Sequence, residues 1–284
     1  MKNKKYAILS VVLIILLSFI YVKFKTIQIK NMEGIQVYYF KNNILIEKDL
    51  EINKSRKIGS FKKGYTYNSI SYSDINKLFV VGVDRIVFFD SEIAVYDKIN
   101  SNIIDYIKIK EVNCKNAVWS PDGSKLIFIG SYWEKKQKIN EVYFVKRNKY
   151  SNCTKLEGVI TNGNRPSWAP NNTDIVYSDN NNIINTYNIN SRLKKSYEKG
   201  LFLIFSNNGK EIIFLNEKKN KIFKYEFKNN KKLILLEDLP KKLFKYKYGI
   251  FRIFACILRL GELDYSLSEI VGWPSQNIIF VGGL

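Results

Sequence analysis

The chain has 284 residues and a formal net charge of +20, and it contains no histidine. The lack of histidine excludes every Ser-His-Asp, Cys-His or histidine-metal mechanism, and no GxSxG elbow, Walker loop or GxGxxG fingerprint occurs. The positive charge sits mainly on lysines spread along the chain. Arginine is the residue expected where phosphates and bases are gripped, so the charge reads as a solvated basic surface and not as a nucleic-acid site.

In chain order, a short basic segment (residues 1–5) precedes an uncharged apolar run from Tyr6 to Val22. As a helix that run would measure about 25 Å, near the lower limit for crossing a bilayer. It ends in Phe19, Ile20, Tyr21 and Val22 rather than in the small residues of a cleavage site. No cysteine follows for a lipid anchor, and Lys23, Lys25 and Lys30 weaken any orientation argument from charge. Residues 6–22 are expected to be a transmembrane anchor or uncleaved signal, 23–34 a linker, and 35–284 a folded region outside the cytoplasm. Cleavage would make the protein secreted instead.

Beyond the linker, Tyr and Phe recur at short intervals and asparagines come in pairs, such as Asn42-Asn43 and Asn229-Asn230. Aromatic side chains suit a pleated surface, and Asn tolerates the left-handed backbone of tight turns. The implied class is all-β, with many short strands. IQVYYF (35–40) and ILIEKDLEI (44–52) read as strands with no special residue before them.

A repeated unit then begins: an aromatic residue, a polar turn and an apolar strand. Tyr72 leads into Ser73-Asp74 and Leu78 to Val81. The best-preserved copy is AVWSPDGSKLIFIG, residues 117–130. There Pro121 presets φ for the first corner, Asp122 bonds back to nearby backbone, and Gly123 takes the positive φ that returns the chain. Trp119 is expected to pack between neighbouring sheets. Trp168 with Ala169-Pro170-Asn171-Asn172 and Phe205 with Ser206-Asn207-Asn208-Gly209 open two further copies, and Trp273 a shortened one. The intervals between these aromatics are 47, 49, 37 and 68 residues. The first three suit the period of propeller blades, each a four-stranded sheet. Later strands can be read at 141–145 and 154–160, at 183–189 and 192–197, and at 222–227 and 232–236. The long last interval holds FKYKYGIFRIFACILRLGE (244–262). It is taken as a degenerate sixth blade, with five blades and an insertion as the alternative. Arg252 and Arg259 would share one face if this stretch were helical, which leaves a membrane-surface helix open.

Trp-Ser-Pro-Asp-Gly followed by Lys125-Leu126-Ile127-Phe128 resembles the repeat of TolB-type propellers, also described as WD40-like or PD40 repeats. The match is close at Trp119 to Phe128, fair at Trp168 to Tyr177, and loose at Tyr72, Phe205 and Trp273. The resemblance implies a β-propeller of about six four-stranded blades over roughly 35–284, built as an extracytoplasmic binding scaffold. Its anchors here are Tyr72, Trp119, Pro121, Asp122, Gly123, Trp168, Pro170, Phe205, Gly209 and Trp273, which build blades and carry no chemistry. Some relatives of that type gate serine peptidases, but those need a hydrolase domain with a histidine.

Little else points to chemistry. Cys114, Cys153 and Cys256 lack metal-ligand spacing. In a meander Cys114 would lie in the loop before an inner strand and Cys153 on the opposite rim, too far apart for a disulfide. The sequons at Asn53, Asn152 and Asn171 are what an Asn-rich chain produces by chance. No cofactor is implied, although the channel of a propeller leaves room for calcium. The expected function is therefore binding, with no catalytic, cofactor-binding or metal residues assigned. The partner would be an envelope protein, a peptide or a glycan, and the molecule a monomer held to the membrane by its N-terminal helix. The competing reading is a histidine-free, carboxylate- or calcium-dependent hydrolase or lyase working in the central channel.

Overall fold

The computed structural model describes residues 36–41, 43–49, 52, 54–85, 90–206, 208–237 and 278–281. The expectations for the apolar run 6–22, the stretch 244–262, Cys256 and Trp273 fall outside them. The described residues are all-β, with no helix, and none is therefore long and apolar enough to cross a membrane.

Among the described residues, twenty strands form five four-stranded sheets. In the first, β1 (Gln36–Lys41), β2 (Ile44–Asp49) and β3 (Lys54–Ser60) make a meander. The second is β4 (Tyr65–Ser73), β5 (Leu78–Arg85), β6 (Asp90–Asp97) and β7 (Asn102–Ile107). The third is β8 (Asn113–Trp119), β9 (Lys125–Glu134), β10 (Gln137–Lys146) and β11 (Thr154–Ile160). The fourth is β12 (Ser167–Trp168), β13 (Asp174–Ser178), β14 (Ile183–Asn188) and β15 (Lys194–Lys199). The fifth is β16 (Leu201–Phe205), β17 (Glu211–Leu215), β18 (Ile222–Glu226) and β19 (Lys231–Leu236). Sheets two to five are antiparallel meanders in sequence order. The first is completed by β20 (Ile278–Val281), which runs parallel to β1 from Gln36↔Ile278 to Tyr39↔Val281. A strand arriving through a long connection has no hairpin to force the antiparallel sense.

The repeat sets the register. Each anchor aromatic pairs with the residue seven places on: Tyr72↔Phe79, Trp119↔Leu126, Trp168↔Ile175 and Phe205↔Ile212. The four turns that follow the anchors lie on one edge of the stack, the turn rim. On the opposite rim lie the connections from each sheet to the next and the β9–β10 hairpin. β3 ends there, and β2 pairs Ile44 with Ser60, so β1 begins on the turn rim.

The cores lie between sheets. Along β5, Phe79, Val81 and Val83 join Tyr38, Phe40 and Leu45 of the first sheet, while Leu78 and Val80 join Trp119, Leu126 and Phe128 of the third. Ile127 and Val142 meet Trp168, Ile175 and Tyr177, and Val176 and Ile184 meet Phe205, Ile212 and Phe214. A strand covered on both faces needs apolar residues at successive positions. That is why LFVV and LIFI run without polar alternation.

Candidate functional site

The repeat turns are built from their own side chains. Ser120 Oγ donates to Asp122 Oδ1 (2.6 Å), Ser124 N and Oγ donate to the two carboxylate oxygens (3.0 and 2.8 Å), and Gly123 N donates to the Ser120 carbonyl (2.9 Å). Burial raises the Asp122 pKa, but the hydrogen bonds from Ser120 and Ser124 outweigh it and hold the carboxyl below its ordinary range. Gly123 has φ +66°. The Trp168 and Phe205 copies reproduce this turn with different residues, whereas the Tyr72 copy puts its positive φ one place later, at Lys77 (55°). Asn171 Oδ1 accepts from Thr173 N and Asp174 N (3.0 and 2.9 Å), and Asn172 takes the positive φ of 59°. Asn208 Oδ1 accepts from Ser206 Oγ and Lys210 N (2.7 and 2.8 Å), with Gly209 at φ +68°.

Successive turns also bond to one another. Asn76 Nδ2 donates to the Gly123 carbonyl (2.6 Å), and Asp122 N donates to Asn172 Oδ1 (2.9 Å). Gly209 packs against the Pro170 ring. Tyr72, Trp119, Trp168 and Phe205 are all buried, each against the preceding sheet, and the Trp168 indole N–H donates to the Val118 carbonyl (3.1 Å). The structure thus places the described anchors in inter-sheet cores and a continuous turn rim.

Where the fourth and fifth sheets meet this rim, they leave a cleft of about 540 Å³. Phe205 of β16 and Ala169 lie at its buried base. Tyr197 of β15 and Phe227, just past β18, stand at its side with ring centroids 5.2 Å apart, and Phe205 lies 5.9 Å from Phe227. Asn171, Asp174, Thr186 and Asn208 supply the polar lining. Asp174 is held by Asn188 Nδ2 (2.5 Å) and Asn171 Nδ2 (2.7 Å), and the Thr186 and Tyr197 hydroxyls lie 3.4 Å apart. The one carboxylate of this cleft, Asp174, is bonded on both oxygens. The cleft sets an aromatic wall beside fixed hydrogen-bonding groups. Among the described residues no group of three or more His, Cys, Asp or Glu is placed to hold a metal ion.

Sequence reasoning found Pro170, Phe205 and Gly209 as blade residues but missed Tyr197 and Phe227. A local signal existed, since both are aromatics in otherwise charged stretches (KKSYEK and YEFKNN). Nothing local says that the two meet.

A buried carboxylate went unnoticed as well. Glu47 of β2 is 6% exposed and accepts from Tyr38 Oη (2.6 Å), Lys98 Nζ (2.7 Å) and Arg56 Nε (2.9 Å). Lys98 comes from the β6–β7 turn and lies over the Tyr38 and Tyr72 rings at 5.2 and 4.9 Å. Burial raises the Glu47 pKa, but the bonds from Lys98, Tyr38 and Arg56 together hold it below the ordinary carboxylate range. The cluster clamps the first sheet to the second.

Cys114 lies within β8 and not in the loop before it, because pairing in the third sheet starts one residue earlier, at Asn113↔Ser131. It is buried, and Cys153 packs against the same core from the β10–β11 loop. Both thiols are free, and burial pushes them up to about 12 and about 11.

Fold and site together define an all-β protein of repeated four-stranded sheets, an arrangement compatible with propeller blades, with a cleft between two of them. No family model and no curated protein matches the chain. Among solved structures it is similar to a chain of Kuenenia stuttgartiensis hydrazine synthase, with a TM-score of 0.53 and 11% identity. The match covers 68% of this chain and 64% of that one, so this chain spans under two thirds of its length. A likeness at that identity concerns the fold alone.

Proposed function

We propose that the chain is a TolB-like β-propeller of about six blades, five of them corresponding to the described sheets. In this reading residues 6–22 tether it to a membrane, the blades lie outside the cytoplasm, and it works by binding an envelope protein, peptide or glycan without catalysis. The observation that carries the binding role is the cleft between the fourth and fifth sheets, where Tyr197, Phe205 and Phe227 stand beside Asn171, Asp174 and Asn208. The absence of histidine and the lone, fully bonded Asp174 support binding over hydrolysis.

The test is crosslinking in the native envelope followed by capture of the full chain and of its Tyr197→Ala and Phe227→Ala variants. A partner enriched by the parent and lost by both variants is the expected result. Equal capture by the variants, or no enriched partner, overturns the role of the cleft. The tether is tested separately: an alkaline wash that frees the protein from membranes would remove the anchor from this reading.

A further inference from the structure

The longest strands among the described residues, β9 and β10 at ten residues each, meet in a hairpin on the rim opposite the repeat turns. Its two corner residues, Lys135 and Lys136, both have positive φ (48° and 67°), the backbone of a tight two-residue turn matched to strand twist. On this hairpin stands Trp133, 70% exposed, whereas Trp119 and Trp168 are buried. An exposed indole on a rigid two-stranded support is a platform without a cover.

Its surroundings are cationic. Trp133 pairs across the hairpin with Lys138, and two residues back along each strand Ser131 pairs with Asn140. Lys115 of β8 pairs with Ile129, so strand alternation puts Lys115, Ser131, Trp133, Lys138 and Asn140 on one face. Burial lowers the pKa of the half-buried Lys115 and the Lys138 charge lowers it further, while Asp84, which accepts from Ser91 Oγ (2.6 Å), acts in the opposite sense. Of the nearby carboxylates, Glu111 lies 3.9 Å from Lys110, and Glu141 is bonded to Tyr132 and Lys155. Glu134, opposite Gln137, is exposed at the tip. Two ammonium groups on one face repel each other and are stabilised by an anion that reaches both.

We propose that this face is a binding site for an acidic saccharide, with a sugar ring stacked on Trp133 and its carboxylate or phosphate held between Lys115 and Lys138. Beneath it the buried Ser131 hydroxyl donates to Asn140 Oδ1 (2.7 Å), which ties β9 to β10 under the platform. Single-stranded nucleic acid fits less well, because stacking successive bases calls for several aromatic platforms and the face offers one. A lipid surface fits less well because membrane binding scales with buried apolar area, and the hairpin tip carries one exposed indole among exposed charged and polar residues. The site is separate from the cleft of the fourth and fifth sheets, and either can fail without the other.

The experiment is affinity electrophoresis of the full chain in detergent with polygalacturonate, neutral dextran, polyglutamate or single-stranded poly-dT in the gel. Flotation with phosphatidylcholine vesicles, with and without phosphatidylglycerol, accompanies it. Polygalacturonate alone should retard the protein, and Trp133→Ala and Lys138→Gln, both at exposed positions, should each weaken retardation about tenfold. Lys218→Gln, an exposed charge in the β17–β18 turn outside both sites, should leave it unchanged. Retardation by polyglutamate or poly-dT as strong as by polygalacturonate overturns the proposal, as does flotation with anionic vesicles. So does the absence of retardation, or a Trp133→Ala variant that melts and migrates like the parent.

Discussion

Glu47 shows how one side chain can tie stability to pH. Its folded pKa lies below the ordinary value of 4.5, so the unfolded chain takes up the proton first. The stabilisation is therefore complete above about pH 5 and is lost as pH falls from 4.5 through the lower folded value. Glu47→Gln should lower stability at neutral pH by about 2–3 kcal/mol, since Lys98 loses its buried counter-charge, and should flatten the acid limb of a urea-midpoint-versus-pH curve. An unchanged acid limb would show that other carboxylates dominate it. At the same scale, the raised Cys114 and Cys153 thiols predict slow alkylation at pH 8 in the folded protein and rapid alkylation in denaturant. Thiol titration with a chromogenic disulfide checks this, and fast native-state reaction at either residue would contradict their burial.

At the scale of elements, the repeat turn is both local and cooperative. A side chain at Gly123 would sit 2.3 Å from Asn76 Nδ2 and 2.6 Å from Ser73 Oγ, at φ +66°. Gly123→Ala should therefore cost about 1–2 kcal/mol, measured by urea unfolding, and the loss should shrink in an Asn76→Ala background because the clash is shared. This turn could be read from the sequence because its chemistry lies within five residues: Ser120, Pro121, Asp122, Gly123 and Ser124 build it unaided. The β9–β10 hairpin could not. β10 begins at Gln137, four residues before the expected strand at 141, because Lys135 and Lys136 fill corner positions usually marked by Asn or Gly. The cleft was hidden for a different reason: Tyr197 and Phe227 belong to different sheets, and only their packing brings them together.

For the whole molecule, stability resides between sheets and not within them. Trp168 is fully buried against Ile127 and Val142 of the preceding sheet, so Trp168→Ala should cost about 3–5 kcal/mol. Because every inner sheet shares both faces, the loss should appear as a lower midpoint of one transition in circular dichroism, and two separated transitions would show that the sheets unfold independently. The repeat period made this architecture legible, since 47 and 49 residues leave room for four strands and their turns. Charge did not reveal the sites in the same way: lysines are spread through the sequence, and only register shows that Lys115 and Lys138 share a face with Trp133.

The parallel pair of β1 and β20 gives the molecule a clock. Gln36 meets Ile278, and closing a loop of that length costs about 5 kcal/mol of chain entropy, recovered only when the last strand docks. A ribosome adding roughly 5–20 residues per second needs on the order of ten to fifty seconds to pass from one strand to the other. Throughout that interval the edge of β1 is open to pairing with any extended chain. The first sheet to be synthesised is thus the last to be finished, and the newborn protein is most vulnerable where its oldest strand waits.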